Sequence, residues 1–301
     1  MDKEQMAIAR LQDAARLSLH RYGKPLLITY SGGKDSQVLV ALAERSGIDF
    51  EVVNSHTTAD APETVYFIRE QFMQMESRGI NCTIEKPRYK GKPTSMWSLI
   101  PQKMMPPTRL VRYCCAVLKE NTGRDRFIAT GVRWAESSRR KNSRGVMELM
   151  HKDKEKRIIL TSDNDEKRKL FETCNVKGKM TVNPIVDWSD DDVWDYTHSE
   201  HLPINPLYCE GQKRVGCIGC PIAGRGGADS ASLCAGPPTK KCTFLRLKEC
   251  LMPEKQKACR ATGKPEWMFF AGGWKIKTLL ANLVCSMRRE INENLFAGGA
   301  R

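Results

Sequence analysis

The chain has no long apolar run. Nothing in its 301 residues approaches the ~20 consecutive apolar residues that cross a bilayer, so a membrane span is not expected. A leader pattern is lacking too: Met1-Asp2-Lys3-Glu4-Gln5 is charged and runs straight into a helical pattern, which fits a soluble, cytoplasmic protein with no membrane partner. There is no internal repeat, and so no sign of a repeat architecture. Acid is in short supply, with 35 Asp and Glu against 49 Lys and Arg, a formal charge of +14. That surplus fits a solvated surface serving an anionic small substrate, or a polyanion such as nucleic acid, whose binding is driven by counterion release. Disulfides are not expected in a reducing compartment, so the twelve cysteines call for another explanation, metal or catalysis.

What is present is an alternation of short apolar strands and amphipathic helices. Residues 3–22 read as a helix stopped by Gly23, with Met6, Leu11, Ala15, Leu19 and Tyr22 near one face. Leu26 to Tyr30 is an almost purely apolar strand, as expected for burial on both faces. A helix follows to about Arg45, then a strand from Phe50 to Asn54 and a helix opening at Pro62 and running to Gly79. Ile80 to Glu85 and Phe127 to Val132 read as further strands. The alternation predicts an α/β fold with a doubly wound, mainly parallel, Rossmann-like sheet. Residues 141–180 are charge-rich and weakly periodic. They read as a surface insertion with some helix around 165–172. Ser189-Asp190-Asp191-Asp192 has the capping hydroxyl and first-turn acid of a helix start. The expected organisation is a nucleotide-binding domain over 1–225 and a small helical region over 226–301, where Ile276 to Leu295 form an apolar stripe.

The strand at 26–30 stops at Ser31-Gly32-Gly33-Lys34-Asp35-Ser36, and a helical period begins. A loop between strand end and helix start presents free backbone N–H groups and the positive end of the helix dipole. Two glycines let that backbone approach a phosphate. Ser31 and Ser36 offer hydroxyls, Lys34 a charge and Asp35 a carboxylate that can help hold Mg²⁺. A Walker A loop needs four residues between its glycines and a Gly-Lys-Ser/Thr ending, so this is a different device. Ser-Gly-Gly-Lys-Asp-Ser resembles the PP-loop of the adenine-nucleotide alpha-hydrolase superfamily, which grips the pyrophosphate of ATP or the phosphosulfate of a sulfonucleotide.

Four further cysteines stand out. Cys114 and Cys115 are adjacent, and Cys217 and Cys220 lie in Gly-Cys-Ile-Gly-Cys-Pro, a loop built like a metal knuckle. Four thiolates suit an iron–sulfur cluster or a zinc ion. Neighbours on one helix point about 100° apart, which several iron corners accommodate more readily than one tetrahedral ion. Buried thiols acting as small hydrophobes are the other reading, stronger for Cys82, Cys174 and Cys285. Cys234, Cys242, Cys250 and Cys259 are spaced too widely to suggest a second metal site.

With both elements in hand, roughly residues 25–225 resemble the phosphoadenosine phosphosulfate (PAPS) reductase family. Pro62-Glu63-Thr64 within His56-Thr57-Thr58-Ala59-Asp60-Ala61-Pro62-Glu63-Thr64 matches that family's second motif, whereas its Asp, Gly and Phe are replaced. Gly131, Arg133, Glu136, Ser137 and Arg140 match a later motif, and 184–196 and 202–221 resemble the segments around the second cysteine pair. The resemblance implies a nucleotide site formed by Ser31, Gly32, Gly33, Lys34, Asp35, Ser36, Thr57, Glu63, Gly131, Arg133 and Glu136, with Lys34, Asp35, Arg133 and Arg140 in the catalytic role. It also implies a [4Fe–4S] cluster on Cys114, Cys115, Cys217 and Cys220, the ligands in members that carry both pairs.

Sulfonucleotide reductases of that family use a nucleophilic cysteine in a Glu-Cys-Gly-Leu/Ile-His tail. The residues up to Arg301 hold no such motif, and the last cysteine, Cys285, sits in a core-like helical pattern. Another branch splits ATP to activate a group for sulfur insertion, as in the ATP-pyrophosphatase component of DNA phosphorothioation systems. The first expectation is therefore an ATP pyrophosphatase with a cluster and Mg²⁺, serving sulfur transfer onto nucleic acid, with a cysteine desulfurase or other sulfur-donor protein as partner. The alternatives are an APS/PAPS reductase using another thiol, and a non-catalytic nucleic-acid-binding module with a structural metal.

Overall fold

The computed structural model describes residues 2–108, 110–123, 125–151, 153, 155–173, 178–218 and 220. The expected helical region at 226–301, and Cys174, Cys234, Cys242, Cys250, Cys259 and Cys285, lie outside the described residues.

Numbered along the chain, the elements are α1 (Lys3–Tyr22), β1 (Leu26–Thr29), α2 (Lys34–Ser46), β2 (Phe50–Ser55), α3 (Pro62–Ser77), β3 (Asn81–Glu85), β4 (Arg88–Tyr89), β5 (Lys92–Pro93), α4 (Met96–Lys103) and α5 (Tyr113–Leu118). They continue with β6 (Phe127–Ala129), a short 3₁₀ turn at Trp134–Glu136, α6 (Ser138–Ser143), β7 (Met147–Met150), β8 (Ile158–Leu160), α7 (Arg168–Thr173), β9 (Lys179–Val182), α8 (Asp190–Ser199) and α9 (Pro206–Cys209). The chain divides into two compact units. The first holds 1–56, 60–86 and 121–216; the second holds 57–59, 87–120 and the chain from Cys217.

The first unit is built on a seven-stranded sheet in the order β3-β2-β1-β6-β9-β7-β8. β3, β2, β1, β6 and β9 run parallel, and β7 runs antiparallel to both β9 and β8. Leu26, Leu27 and Ile28 are buried, which is what an apolar run without alternation requires in a central strand covered on both faces. β1 pairs with β2 on one side, Leu26 opposite Phe50, and with β6 on the other, Leu27 opposite Ile128. Strand order therefore reverses between β1 and β6. In open α/β sheets the strand ends at such a reversal are where ligands sit. This is the doubly wound, mainly parallel α/β class the sequence predicts.

The stretch at 141–180 differs from a surface insertion. It supplies β7 and β8, which extend the sheet, and Leu149 and Phe171 are fully buried. Its charge is absorbed internally: the wholly buried Glu148 accepts hydrogen bonds from Arg144 at 2.9 Å, the Gly145 N–H at 3.1 Å and Asn183 at 2.8 Å. The helix expected around 165–172 forms over Arg168–Thr173.

In the second unit, Ala59, Met96, Leu99, Ile100 and Leu118 make a small apolar core. Ser95 caps α4 by accepting from the Ser98 N–H, and the Ile218 N–H donates to Ala59 O at 2.7 Å, tying the chain after Cys217 to residues 57–59.

Candidate functional site

The loop at 31–36 lies at the carboxyl end of β1, at the strand reversal. Gly32 has φ +72°, and a Cβ there would come 2.8 Å from Ile68 Cγ1, so both backbone conformation and space call for glycine. Gly33 is the N-cap of α2 and offers no side chain, leaving the first-turn N–H groups to other acceptors. The Ser36 hydroxyl donates to Gly33 O at 2.8 Å and accepts from the Ser31 N–H at 3.2 Å. Ser36 thus staples the turn, while Ser31 stays exposed.

Beside the loop lies an ion cluster whose cations, Lys34 and Arg133, are buried. The Lys34 ammonium donates to Asp190 Oδ1 at 2.9 Å and sits 3.4 Å from Asp35 Oδ1. Arg133, 2% exposed, donates from Nε to Asp35 Oδ1 at 2.7 Å and from Nη2 to Asp190 Oδ1 at 2.6 Å. Burial alone would push the Arg133 guanidinium down; Asp35 and Asp190 outweigh it and hold it above its ordinary value. The Lys34 hydrogen bond, joined by Arg133, keeps the Asp190 carboxyl below the usual carboxylate range despite partial burial. Arg133 is thus bound to two carboxylates, rather than standing free to grip an oxyanion as sequence suggests. It orients Asp35 and Asp190, and Lys34 remains the ammonium nearest the loop.

Gly131 makes this approach possible, because a Cβ there would lie 3.0 Å from Asp35 O. Glu136 accepts from the Arg133 N–H at 3.1 Å and pairs with Arg140. Arg140 is a third exposed. Burial pushes its guanidinium down, Glu136 opposes that, and Arg214 and Arg144 nearby push it further down. Arg140 thus feels Arg144, itself paired with Glu148, and Arg214, with Asp35 in electrostatic reach. Glu63 is half-buried in the first turn of α3.

Three residues that sequence reasoning did not select complete this site. Asp190, read only as first-turn acid, bridges Lys34 and Arg133. Asn205, 1% exposed, donates to Gly32 O at 3.0 Å and to Thr64 Oγ1 at 3.3 Å. The Tyr208 hydroxyl accepts the Lys34 N–H at 3.2 Å. Its ring meets Trp194 edge-on at 5.2 Å, and the Lys34 ammonium lies 5.9 Å from the Trp194 centroid. The signal was the Asn-Pro-Leu-Tyr stretch, which sequence treats as family likeness without giving it a task.

A cavity of about 160 Å³ opens at the ends of β2 and β3, lined by His56, Asp60, Arg69 and Lys86 among others. Burial pushes His56 below its ordinary value, so the imidazole that stands where the family has Asp is neutral at pH 7.

Thr57 belongs to the second unit. Its hydroxyl accepts from the Cys217 thiol at 3.4 Å. Cys114 and Cys217 pack against the same apolar cluster, and the Cys220 N–H donates to Cys217 O at 3.3 Å. Burial, followed by Cys115 and then Cys217, pushes the Cys114 thiol up to about 11. The four sulfur ligands expected from sequence therefore share one unit, and three of them interact. Thiolates are the ligands such a set would offer a thiophilic metal, and binding there would release the Cys114 proton. Among the described residues no three His, Cys, Asp or Glu side chains converge closely enough to coordinate an ion. Cys82 behaves as a small hydrophobe on β3, 3.9 Å from the Met75 sulfur.

Residues 25–223 match the phosphoadenosine phosphosulfate reductase domain. An uncharacterised protein of Methanocaldococcus jannaschii is 26% identical over 200 residues, 65% of this chain and 41% of that protein. The chain spans 41% and 36% of the lengths of the two M. jannaschii relatives it matches. The adenosine 5'-phosphosulfate reductase of Staphylococcus haemolyticus is 25% identical over 206 residues, 66% of this chain and 71% of the enzyme. Among solved structures, the phosphoadenylyl-sulfate reductase of Candida auris overlaps 68% of this chain and 87% of its own, with 16% identity and a TM-score of 0.44. The chain belongs to the phosphoadenosine phosphosulfate reductase domain family.

Proposed function

We propose that the protein is a PP-loop ATP pyrophosphatase that activates an acceptor for sulfur transfer, with nucleic acid as the acceptor. The observation that carries this reading is the pair of carboxylates, Asp35 and Asp190, gathered by Lys34 and Arg133 at the phosphate loop. Mg²⁺ is bound by one or two carboxylates together with substrate phosphates. The Asp190 side chain, 69% exposed, is open to such an ion. A nucleotide that arrives with Mg²⁺ makes use of this pair; a phosphosulfate does not need it.

In this reading Gly32, Gly33 and the start of α2 hold the β- and γ-phosphates, with Ser31 and Lys34 on their oxygens. Ser36 keeps the turn closed, and Arg133 positions both carboxylates. An acceptor oxygen attacks the α-phosphorus, its bond to the bridging oxygen breaks, and pyrophosphate leaves with the electron pair. Hydrosulfide released by a donor protein then attacks the activated acceptor, the acceptor's bond to the AMP oxygen breaks, and AMP leaves with the electron pair. Arg140 stabilises charge developing on the phosphates, an electrostatic role. Cys114, Cys115, Cys217 and Cys220 would hold a [4Fe–4S] cluster, which supplies a thiophilic metal centre when bound. The formal charge of +14 supports a polyanionic acceptor.

A second reading, sulfonucleotide reduction, is favoured by relatives that bear the name adenosine 5'-phosphosulfate reductase. Supplying ATP and a sulfonucleotide side by side to anaerobically purified protein separates the two. Pyrophosphate from ATP, reduced about 10²–10³-fold in Lys34→Ala, supports the first reading. Sulfite from the sulfonucleotide, with no pyrophosphate from ATP, replaces it with the second.

A further inference from the structure

A phenol has one proton to donate and two lone pairs to accept with. Tyr208 already accepts: its oxygen takes the Lys34 N–H at 3.2 Å, and the Val215 N–H bears on it electrostatically. Its proton has no acceptor among the described residues. The ring cannot easily turn away. It is held edge-on by Trp194, which is itself stacked on His198 at 5.6 Å, and Asn205 ties the start of α9 to Gly32 O. The hydroxyl stays protonated at neutral pH, because burial pushes it up more than the two N–H groups pull it down. The cations of the loop, meanwhile, are already shared with Asp35 and Asp190. A half-buried donor at the loop that is neutral, oriented and without an acceptor among the described residues points to an anionic oxygen as its missing partner, since a donor that gives up water unpaired is costly.

We infer that Tyr208 is a substrate-contacting residue: with its oxygen anchored on the Lys34 N–H, its O–H donates to an oxygen of the linked oxyanions seated on residues 31–34. The inference rests on the nucleotide reading above and adds to it a residue to which the sequence motifs give no task. It differs from a placeholder role, in which the phenol merely fills the anion's position and leaves when the anion arrives.

The test is calorimetric titration of the full chain with inorganic pyrophosphate, ATP and adenosine, in wild-type and Tyr208→Phe protein. The expected result is pyrophosphate and ATP binding about tenfold to a hundredfold weaker in Tyr208→Phe, the range for a hydrogen bond to a charged group, with adenosine unchanged. Tyr208→His, which keeps a ring donor, should recover part of the loss and serves if the phenylalanine variant does not fold. Pyrophosphate binding that is equal or tighter in both variants would overturn the inference; tighter binding would identify a placeholder. Wild-type protein that binds neither pyrophosphate nor ATP would remove the nucleotide reading, and this inference with it.

Discussion

Arg133→Met removes the guanidinium at the centre of the ion cluster and keeps most of the side chain's apolar length. Two hydrogen bonds to carboxylates disappear, at 2.7 Å to Asp35 and 2.6 Å to Asp190, with a longer one to Trp188 O at 3.4 Å. Each such bond contributes about 1.5–3 kcal/mol. The sum is an upper bound, because the Asp35 and Asp190 side chains are 26% and 69% exposed and regain water, and Lys34 stays beside both. A net loss of about 2–4 kcal/mol is expected, or a fall in melting temperature of roughly 5–15 °C. The pH dependence supplies a second signature. The native Asp190 carboxyl is held below its unfolded value, so its contribution is fully present above that value and fades as pH falls through the native one. The gap between wild type and variant should therefore be constant at neutral pH and narrow below about pH 4. Urea unfolding across pH 2–7 measures both. Equal midpoints at pH 7 would refute the reasoning. So would an Asp190→Asn change that costs the same in the wild-type and Arg133→Met backgrounds, since a shared cluster must show coupling.

Other outcomes follow from the same geometry. Gly32→Ala should abolish nucleotide binding and cost about 1–2 kcal/mol in urea unfolding from the left-handed backbone alone, with the clash against Ile68 added. Asn205→Ala should lower stability by about 1–3 kcal/mol, because it unpairs the buried Gly32 carbonyl, and should weaken ATP binding. Anaerobic purification with iron and sulfide analysis should find both elements; Cys114→Ser should lose iron, and retention of the full iron content would remove that cysteine from the ligand set.

Much of this fold could be read from the chain because its signals are local. The change from an unbroken apolar run at 26–30 to a helical period after Ser36 marks β1, the loop and α2 without help from the rest of the molecule. Ser189 caps α8 through a capping box with Asp192, as its spacing implies. Long-range partnerships were not readable. Arg10, a charged residue in an amphipathic helix, is 4% exposed and carries Asp163 and Asp187, while Leu19, expected on the inward face, is 51% exposed. The covered face of α1 is set by what packs on it, and hydropathy cannot report an arginine whose carboxylates lie more than 150 residues away. β7 and β8 were hidden for the same reason: four- and three-residue strands in charged sequence carry almost no period, and Glu148 interrupts the apolar pattern although it is buried. At the site, sequence supplied Lys34, Asp35, Gly131 and Arg133 as a group. It assigned Arg133 to the substrate because a guanidinium motif says nothing about which anion it meets. Asp190 and Tyr208 join only when α8 and α9 pack at the end of β1.

The most direct measurement is the affinity of the wild-type chain and Lys34→Ala for ATP and for adenosine, by equilibrium dialysis with Mg²⁺ present. A loop that holds linked phosphates predicts ATP binding at least tenfold tighter than adenosine in wild type, with most of that advantage gone in Lys34→Ala. Equal affinities for ATP and adenosine, or an advantage that survives loss of the ammonium, would contradict it.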